Sequence, residues 1–279
     1  MTLAAHGFDH QGIPVRYWTG GQGFPVLLIH GSGPGASTKG NWRTVLDALA
    51  SRFNIFAVDL IGFGESGLKP AEPYFDLSLW IEQCRALIHL MPDGPIGIIG
   101  HSISGALALH LAARESRVSA VLTTGTLGAP LQLNRFLRET WTFPRDRASL
   151  RRTAEILIHD KGLITEAYLE GREAVLRSAA YEAYFSSMFG EPKEAYLEAT
   201  VIPSGTLDAI RCPVTLLHGR NDLAVPPTAS LVLAERLPQA DVILLSNCSH
   251  SVALERPDAL LAAADQLFGK CNSAPAKAF

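Results

Sequence analysis

A chain of 279 residues, 47% hydrophobic and 18% charged, holds enough apolar material for one large α/β domain with an insertion and excludes disorder over most of its length. Its formal net charge of -3 leaves no basic footprint for nucleic acid, because the cationic residues are scattered among acidic and apolar neighbours. No stretch approaches the ~18–20 consecutive apolar residues of a membrane span, so no membrane association is expected.

The start, Met1 to Asp9, lacks both the basic region and the apolar run of a secretory signal. Cys84, Cys212, Cys248 and Cys271 form no C-x-x-C pair and no metal-ligand spacing. Cys84 and Cys212 lie in apolar surroundings, as buried thiols do. This usage fits a reducing compartment and predicts a cytoplasmic protein.

In chain order, Phe8 to Trp18 reads as a hairpin turning at Gln11-Gly12. Six short apolar runs follow: Pro25 to His30, Asn54 to Asp59, Pro95 to Gly100, Val118 to Thr124, Pro213 to His218 and Asp241 to Leu245. Such runs are what a parallel strand buried on both faces requires. Helical patterns at Thr44–Arg52, Leu77–Leu90, Gly105–Glu115, Ala229–Leu237 and Asp258–Phe268 alternate with them. The alternation predicts an α/β fold, a mostly parallel doubly wound sheet with ligands at the carboxyl ends of its strands.

Between about Gly128 and Pro203 the alternation stops. Leu133–Phe143, Ala148–His159, Thr165–Ala180 and Tyr181–Phe189 are all helical in pattern, which predicts an all-helical cap inserted between two strands. The expected organisation is core over 1–130, cap over 131–205, core over 206–270 and a flexible tail over 271–279. Arg145, Arg147, Arg151 and Arg152 are interleaved with Asp146 and apolar residues and read as a solvated face. Oligomeric state is not readable; a homodimer, the commonest closed assembly, is the default.

The strongest chemical signal is Ile98-Ile99-Gly100-His101-Ser102-Ile103-Ser104-Gly105. A serine between a buried strand and a helix sits on a sharp turn with its hydroxyl exposed, and small neighbours let strand and helix pack closely. The pattern G-x-S-x-G is matched imperfectly, with Ser104 in the fifth place and Gly105 after it. A serine hydroxyl needs a base within hydrogen-bond reach. Asp222 follows one predicted strand and His250 the next, so the order is Ser102, Asp222, His250. Taken singly, Asp222 could be a turn residue before Pro226-Pro227, and His250 a neighbour of a helix cap. Three such residues in order, each past a strand end, favour catalysis.

The oxyanion donors are expected to be the backbone N–H groups of Ile103 and Ser32, the latter in His30-Gly31-Ser32-Gly33-Pro34-Gly35-Ala36. Gly31, Gly33 and Gly35 let the backbone approach a developing charge. The loop lacks the Lys-Ser/Thr of a phosphate-binding loop and no helix follows it directly. Asp59 to Ser66 reads as a scaffold turn.

These residues resemble the α/β-hydrolase superfamily from about Pro25 to Phe268. Within it the chain resembles the meta-cleavage product hydrolases, which break a C–C bond in ring-opened aromatic catabolites. The resemblance rests on the glycine loop followed by Asn41-Trp42-Arg43, on Tyr168-Leu169-Glu170-Gly171-Arg172 after His159-Asp160, and on His218 to Asp222 with Cys248-Ser249-His250. It implies a small-molecule substrate, a 2-hydroxy-6-oxohexa-2,4-dienoate, with no metal and no cofactor. It also implies that Arg172 grips the C1 carboxylate, that Asn41 contacts the 2-oxygen, and that Gly31, Gly33, His101 and Ser251 face the substrate. Two positions depart from the family: His101 stands where relatives usually have Asn, and Ser251 where they usually have Trp.

Alternatives remain at this level. Arg172 could be a solvated helix residue paired with Glu170 or Glu173, and Asn41 an ordinary helix cap. The triad would equally serve a carboxylesterase on small esters. His101 keeps open a cofactor-free dioxygenase of this fold, and a ligand receptor with a vestigial triad would need no chemistry. Trp141, Phe143, Phe185, Met188 and Phe189 are candidates for the pocket lining or for the cap's own core.

Overall fold

A computed structural model describes residues 3–176 and 179–272 of the chain. Eight strands form one sheet: β1 (Ala4–His10), β2 (Ile13–Gly20), β3 (Pro25–Ile29), β4 (Asn54–Val58), β5 (Ile96–His101), β6 (Val118–Thr124), β7 (Val214–Gly219) and β8 (Ala240–Leu245). Their order is β1-β2-β4-β3-β5-β6-β7-β8, antiparallel at β1, β2 and β4 and parallel from β4 through β8. The β1–β2 hairpin turns where expected. Gln11 and Gly12 both take positive φ (56° and 81°), the backbone whose twist matches a two-residue hairpin.

The apolar runs become strands because both faces of the sheet are covered. Leu27 and Ile29 of β3 point into one core with Trp80, Leu87, Leu107 and Leu111; Val26 and Leu28 point into another with Trp42, Leu49, Leu260 and Phe268. The helix Leu77–Leu90 keeps its predicted bounds, and the side chain of Asp76 caps it by accepting from Leu79 N at 2.9 Å. The helix predicted over Thr44–Arg52 is instead two short ones, Thr38–Trp42 and Leu46–Ala50. Between them the Thr44 hydroxyl donates to the carbonyl of Ala253 at 2.6 Å, tying the break to the chain beyond His250.

Helices fill the stretch between β6 and β7: Arg135–Thr140, Arg147–Leu157, Glu166–Leu176, Ala179–Met188, Glu194–Thr200 and Ser204–Ala209, with a 3₁₀ turn at Lys161–Leu163. The last two helices were not foreseen. Ser204–Ala209 packs on the core helix Ile103–Arg114. Trp141 and Phe189 stack at 5.2 Å, and Phe189, Phe185 and Phe143 continue the contact chain, so most of the aromatic candidates are this region's own core. Asn134 anchors its start. The side-chain oxygen accepts from Phe136 and Leu137 N, while Nδ2 donates to Leu223 and Ala224 O, just past Asp222.

The arginines read as a solvated face pair with acidic neighbours: Arg147 with Glu166 and Glu173, Arg151 with Glu166. The helix Pro257–Asn272 runs two residues into the expected tail, whose remainder, 273–279, lies outside the described residues. Among the described residues no helix is long and apolar enough to cross a membrane.

Candidate active site

Ser102 sits between β5 and the helix Ile103–Arg114 with φ 58° and ψ -121°, a left-handed backbone that a non-glycine residue adopts only when its surroundings hold it there. Three hydrogen bonds do so. Ser102 N donates to Thr124 O at 2.9 Å, and Ser102 O accepts from Gly105 N and Leu127 N at 3.0 and 3.1 Å. A Cβ on Gly105 would lie 2.1 Å from Thr126 Oγ1, so Gly105 supplies the close approach. The unexpected Ser104 has its own partner: its hydroxyl donates to His30 O at 2.5 Å, joining the elbow to the glycine loop.

His250 follows β8 and Asp222 follows β7, and the fold brings them together. His250 Nδ1 lies 2.6 Å from Asp222 Oδ2. A carboxylate only accepts, so Nδ1 carries the proton and Nε2 is left as the base. Burial alone would raise the Asp222 pKa. The charges and hydrogen bonds of His250 and His218 outweigh it and hold the carboxyl well below the usual range.

His218, to which the sequence pattern assigns no role, belongs to the same cluster. Fully buried at the end of β7, it places Nε2 3.3 Å from Asp222 Oδ2 and 3.0 Å from Val225 O, while Nδ1 meets Ser230 Oγ at 2.7 Å. The signal for it was a polar residue closing an apolar run, four places before Asp222. Gly125 was also missed. With φ 55° it lies against the pair, and a Cβ there would be 2.9 Å from His250 Nδ1.

The glycine loop leaves the end of β3 beside Ser102. His30 Nε2 accepts from Leu60 N at 3.0 Å, so its Nδ1 is the donor to Gly31 O at 2.6 Å, and the loop's entry is fixed. Burial lowers the His30 pKa, in keeping with a neutral ring. A Cβ on Gly31 would be 2.9 Å from the His101 ring and 3.3 Å from Ser102 Cβ, so only glycine lets this backbone lie against the serine. Gly33 meets nothing within 4 Å, and its place in the loop is not dictated by packing. The Ser32 hydroxyl accepts from Trp141 Nε1 at 3.2 Å. The Ile103 side chain is fully buried, leaving its backbone N–H, at the first position of the helix, as its polar contribution.

A cavity of about 100 Å³ lies over these groups. Its lining includes Gly31, Ser32, Gly33, His101, Ser102 and His250, and also Asn41, Arg172, Ser251 and Trp141. Asn41 is inside the helix Thr38–Trp42, which Ser37 caps, so the ordinary-cap reading of Asn41 does not hold. Arg172 is not paired with Glu170 or Glu173 either. Nη1 donates to Gly35 O at 3.2 Å and Nη2 to Pro34 O, and Glu173 pairs with Arg147 instead. The planar guanidinium is thereby held at the cavity wall with further N–H donors to offer. Arg43, stacked over the Tyr168 ring at 5.3 Å, is a second cation at this wall that sequence reasoning passed over. The arrangement can activate a serine, stabilise an oxyanion and bind a carboxylate, and among the described residues no group of His, Cys, Asp and Glu is placed to hold a metal.

The sequence profile described as Alpha/beta hydrolase family matches residues 26–264. The 2-hydroxymuconate semialdehyde hydrolase of Pseudomonas sp. strain CF600 is 29% identical over 246 residues, 88% of this chain and 86% of that one. Among solved structures, the 2-hydroxy-6-oxo-6-phenylhexa-2,4-dienoate hydrolase of Rhodococcus sp. strain RHA1 superposes with a TM-score of 0.88 at 28% identity, covering 96% of this chain and 99% of that one. A pimeloyl-[acyl-carrier protein] methyl ester esterase of Chromobacterium violaceum is 31% identical over 241 residues, 83% of this chain and 89% of that one.

Proposed function

Since this chain belongs to the Alpha/beta hydrolase family, we propose that it is a serine-dependent C–C bond hydrolase cleaving a 2-hydroxy-6-oxohexa-2,4-dienoate into a 2-hydroxydienoate and a carboxylic acid. The observation that carries this reading is a guanidinium, Arg172, fixed by two loop carbonyls at the wall of the cavity that also holds Ser102 and His250. A carboxylate at one end of the substrate and a carbonyl at the other match those two ends. The relatives named as semialdehyde and dienoate hydrolases support the same chemistry.

In this mechanism Arg172 binds the C1 carboxylate as a planar fork and Asn41 contacts the 2-oxygen. The dienol first ketonises, placing the bond to be broken next to an electron sink. Ser102 Oγ then adds to the C6 carbonyl as His250 Nε2 takes its proton, with Asp222 stabilising the imidazolium. The N–H groups of Ser32 and Ile103 hold the oxyanion; one such donor contributes roughly 3–4 kcal/mol to the barrier reduction in acyl transfer. Collapse breaks the C5–C6 bond, the electron pair passes into the conjugated C2 carbonyl, and the His250 imidazolium returns its proton to that dienolate; the neutral His250 then takes a proton from the water that releases the acid from Ser102. Gly31, Gly33 and Ser251 shape the walls of this pocket.

A second reading, ester hydrolysis, is favoured by the 31% identical methyl ester esterase. It uses Ser102, Asp222 and His250 alike and has no need of Arg172. Turnover of a synthetic 2-hydroxy-6-oxo-6-phenylhexa-2,4-dienoate, read as bleaching of its yellow dienolate, separates the two. Bleaching with benzoate release, abolished in Ser102→Ala and weakened in Arg172→Ala, is expected. Turnover of a nitrophenyl ester without bleaching, across methyl and phenyl dienoates, would replace the first reading by the second. The cytoplasm is the proposed compartment, which the buried thiols of Cys84 and Cys248 support. A homodimer is the proposed assembly, checked by light scattering.

A further inference from the structure

His101, like His250, presents to the cavity wall a ring nitrogen that can only accept. Its Nδ1 lies 3.0 Å from the backbone carbonyl of Thr124, and also 3.0 Å from Thr124 Oγ1. A carbonyl oxygen cannot donate, so its partner assigns the proton to Nδ1. Nε2 is then a bare lone pair, and it has no hydrogen-bond partner among the described residues. The ring borders the cavity directly before Ser102, with its centroid 4.6 Å from that of His250 and 6.3 Å from that of Trp42, the residue after Asn41. Its ring thus packs beside that of His250 and edge-on to that of Trp42. Burial, and after it the nearby His250, lowers the His101 pKa well below that of a free imidazole, which keeps the ring neutral.

An amide at this place would offer a donor and could not take a proton. A neutral imidazole with an unprotonated Nε2 can. The groups of a dienoate able to face it are few: its carboxylate and carbonyl only accept, and its 2-hydroxyl donates.

We propose that His101 is a second substrate-facing base of this pocket, whose Nε2 takes the proton of the dienol 2-hydroxyl during ketonisation. The O–H bond breaks and its electron pair forms the C2 carbonyl. The conjugated electrons shift to C5, and the imidazolium returns the proton there, so His101 ends neutral and no outside reactant is consumed. Ser102 and His250 are left for the addition and cleavage that follow. This inference rests on the dienoate reading of the site, and it assigns the proton transfer that prepares the substrate to a residue outside the Ser102–Asp222–His250 set.

The test compares wild type with His101→Ala and His101→Asn on the phenyl dienoate and on a nitrophenyl ester, which needs no ketonisation. Single-turnover absorbance follows dienol decay, and product formed in deuterated water is assayed for label at C5. The loss on the dienoate is expected to exceed the loss on the ester by about a hundredfold, within the usual range for a general base. The chemically pre-ketonised 2,6-dioxo substrate should narrow that gap to a few-fold. His101→Asn keeps a polar side chain for Thr124 and guards against a folding failure in His101→Ala. Equal losses on both substrates in the folded variants, or an unchanged rate of dienol decay, would overturn the assignment. If wild type turns over the ester but no dienoate, it is the substrate reading that has failed instead.

Discussion

Nε2 of His218 lies 3.3 Å from the same Asp222 oxygen that holds His250 at 2.6 Å, so one carboxylate oxygen serves two imidazoles. The other oxygen accepts from Val225 N at 2.9 Å. Ser230 Oγ and Val225 O fix the His218 ring, with Nε2–H facing Val225 and Asp222. His218 is thus a positioning residue for the acid that orients the base. A hydrogen bond to a charged group contributes about 1.5–3 kcal/mol. His218→Phe is expected to lower kcat by roughly ten- to a hundredfold with little change in KM, because no substrate contact is lost. His218→Gln, which can still donate to Asp222, should recover part of that loss. A variant whose KM rises while kcat holds would assign His218 to the pocket instead.

Gly125 makes a sharper steric prediction. Its positive φ and a Cβ that would sit 2.9 Å from His250 Nδ1 and 3.3 Å from Asp222 Oδ2 leave no room for alanine unless the pair moves. Misplacing a catalytic group by about 1 Å can cost on the order of 100-fold. Steady-state kinetics of Gly125→Ala should show a loss of that size in kcat. Gly171→Ala is the control: a Cβ there meets nothing within 4 Å, and the change should leave kcat at the wild-type value.

The parallel sheet was legible because burial on both faces forces continuous apolar runs, and β3 to β7 follow those runs closely. Ser102, Asp222 and His250 were legible because each lies a few residues or fewer past the end of a strand. His218 and Gly125 were not, since their importance lies in side-chain geometry: the His218 ring against Asp222 in the segment after β7, and the end of β6 against His250. The split of the helix before Leu46 was hidden for a similar reason. It depends on Thr44 reaching Ala253, more than two hundred residues away. Periodicity marked Phe143, Phe185 and Phe189 as apolar, but could not say that they pack on one another rather than line the cavity.

Ser104 departs from the usual glycine, and the departure is stabilising. Its hydroxyl satisfies the buried carbonyl of His30, whose ring orders the glycine loop. Ser104→Ala leaves that carbonyl without its partner, at about 1–3 kcal/mol. Ser104→Gly, which restores the family pattern, adds up to about 1 kcal/mol of helix cost. Thermal melts should therefore rank wild type above Ser104→Ala, and Ser104→Ala above Ser104→Gly. A more stable Ser104→Gly would mean that the bond to His30 contributes nothing.

The neutral state of His101 has a consequence for stability. Burial, then the facing His250 and His30, lower its pKa, and the hydrogen bond to the Thr124 carbonyl and the nearby Asp222 carboxylate oppose them without reversing the direction. The unfolded chain takes up a proton near the ordinary imidazole value of about 6.5, where the folded protein does not. Stability from this group is therefore fully present above about pH 6.5 and is lost as pH falls below it toward the folded-state value. His30, lowered chiefly by burial, adds to the same slope. Urea unfolding between about pH 7.5 and pH 5 should show wild type losing stability more steeply than His101→Asn, by as much as about 1.4 kcal/mol per pH unit for one proton. Parallel slopes for the two chains would mean that His101 is protonated in the folded protein, and Nε2 would then face the substrate as a donor.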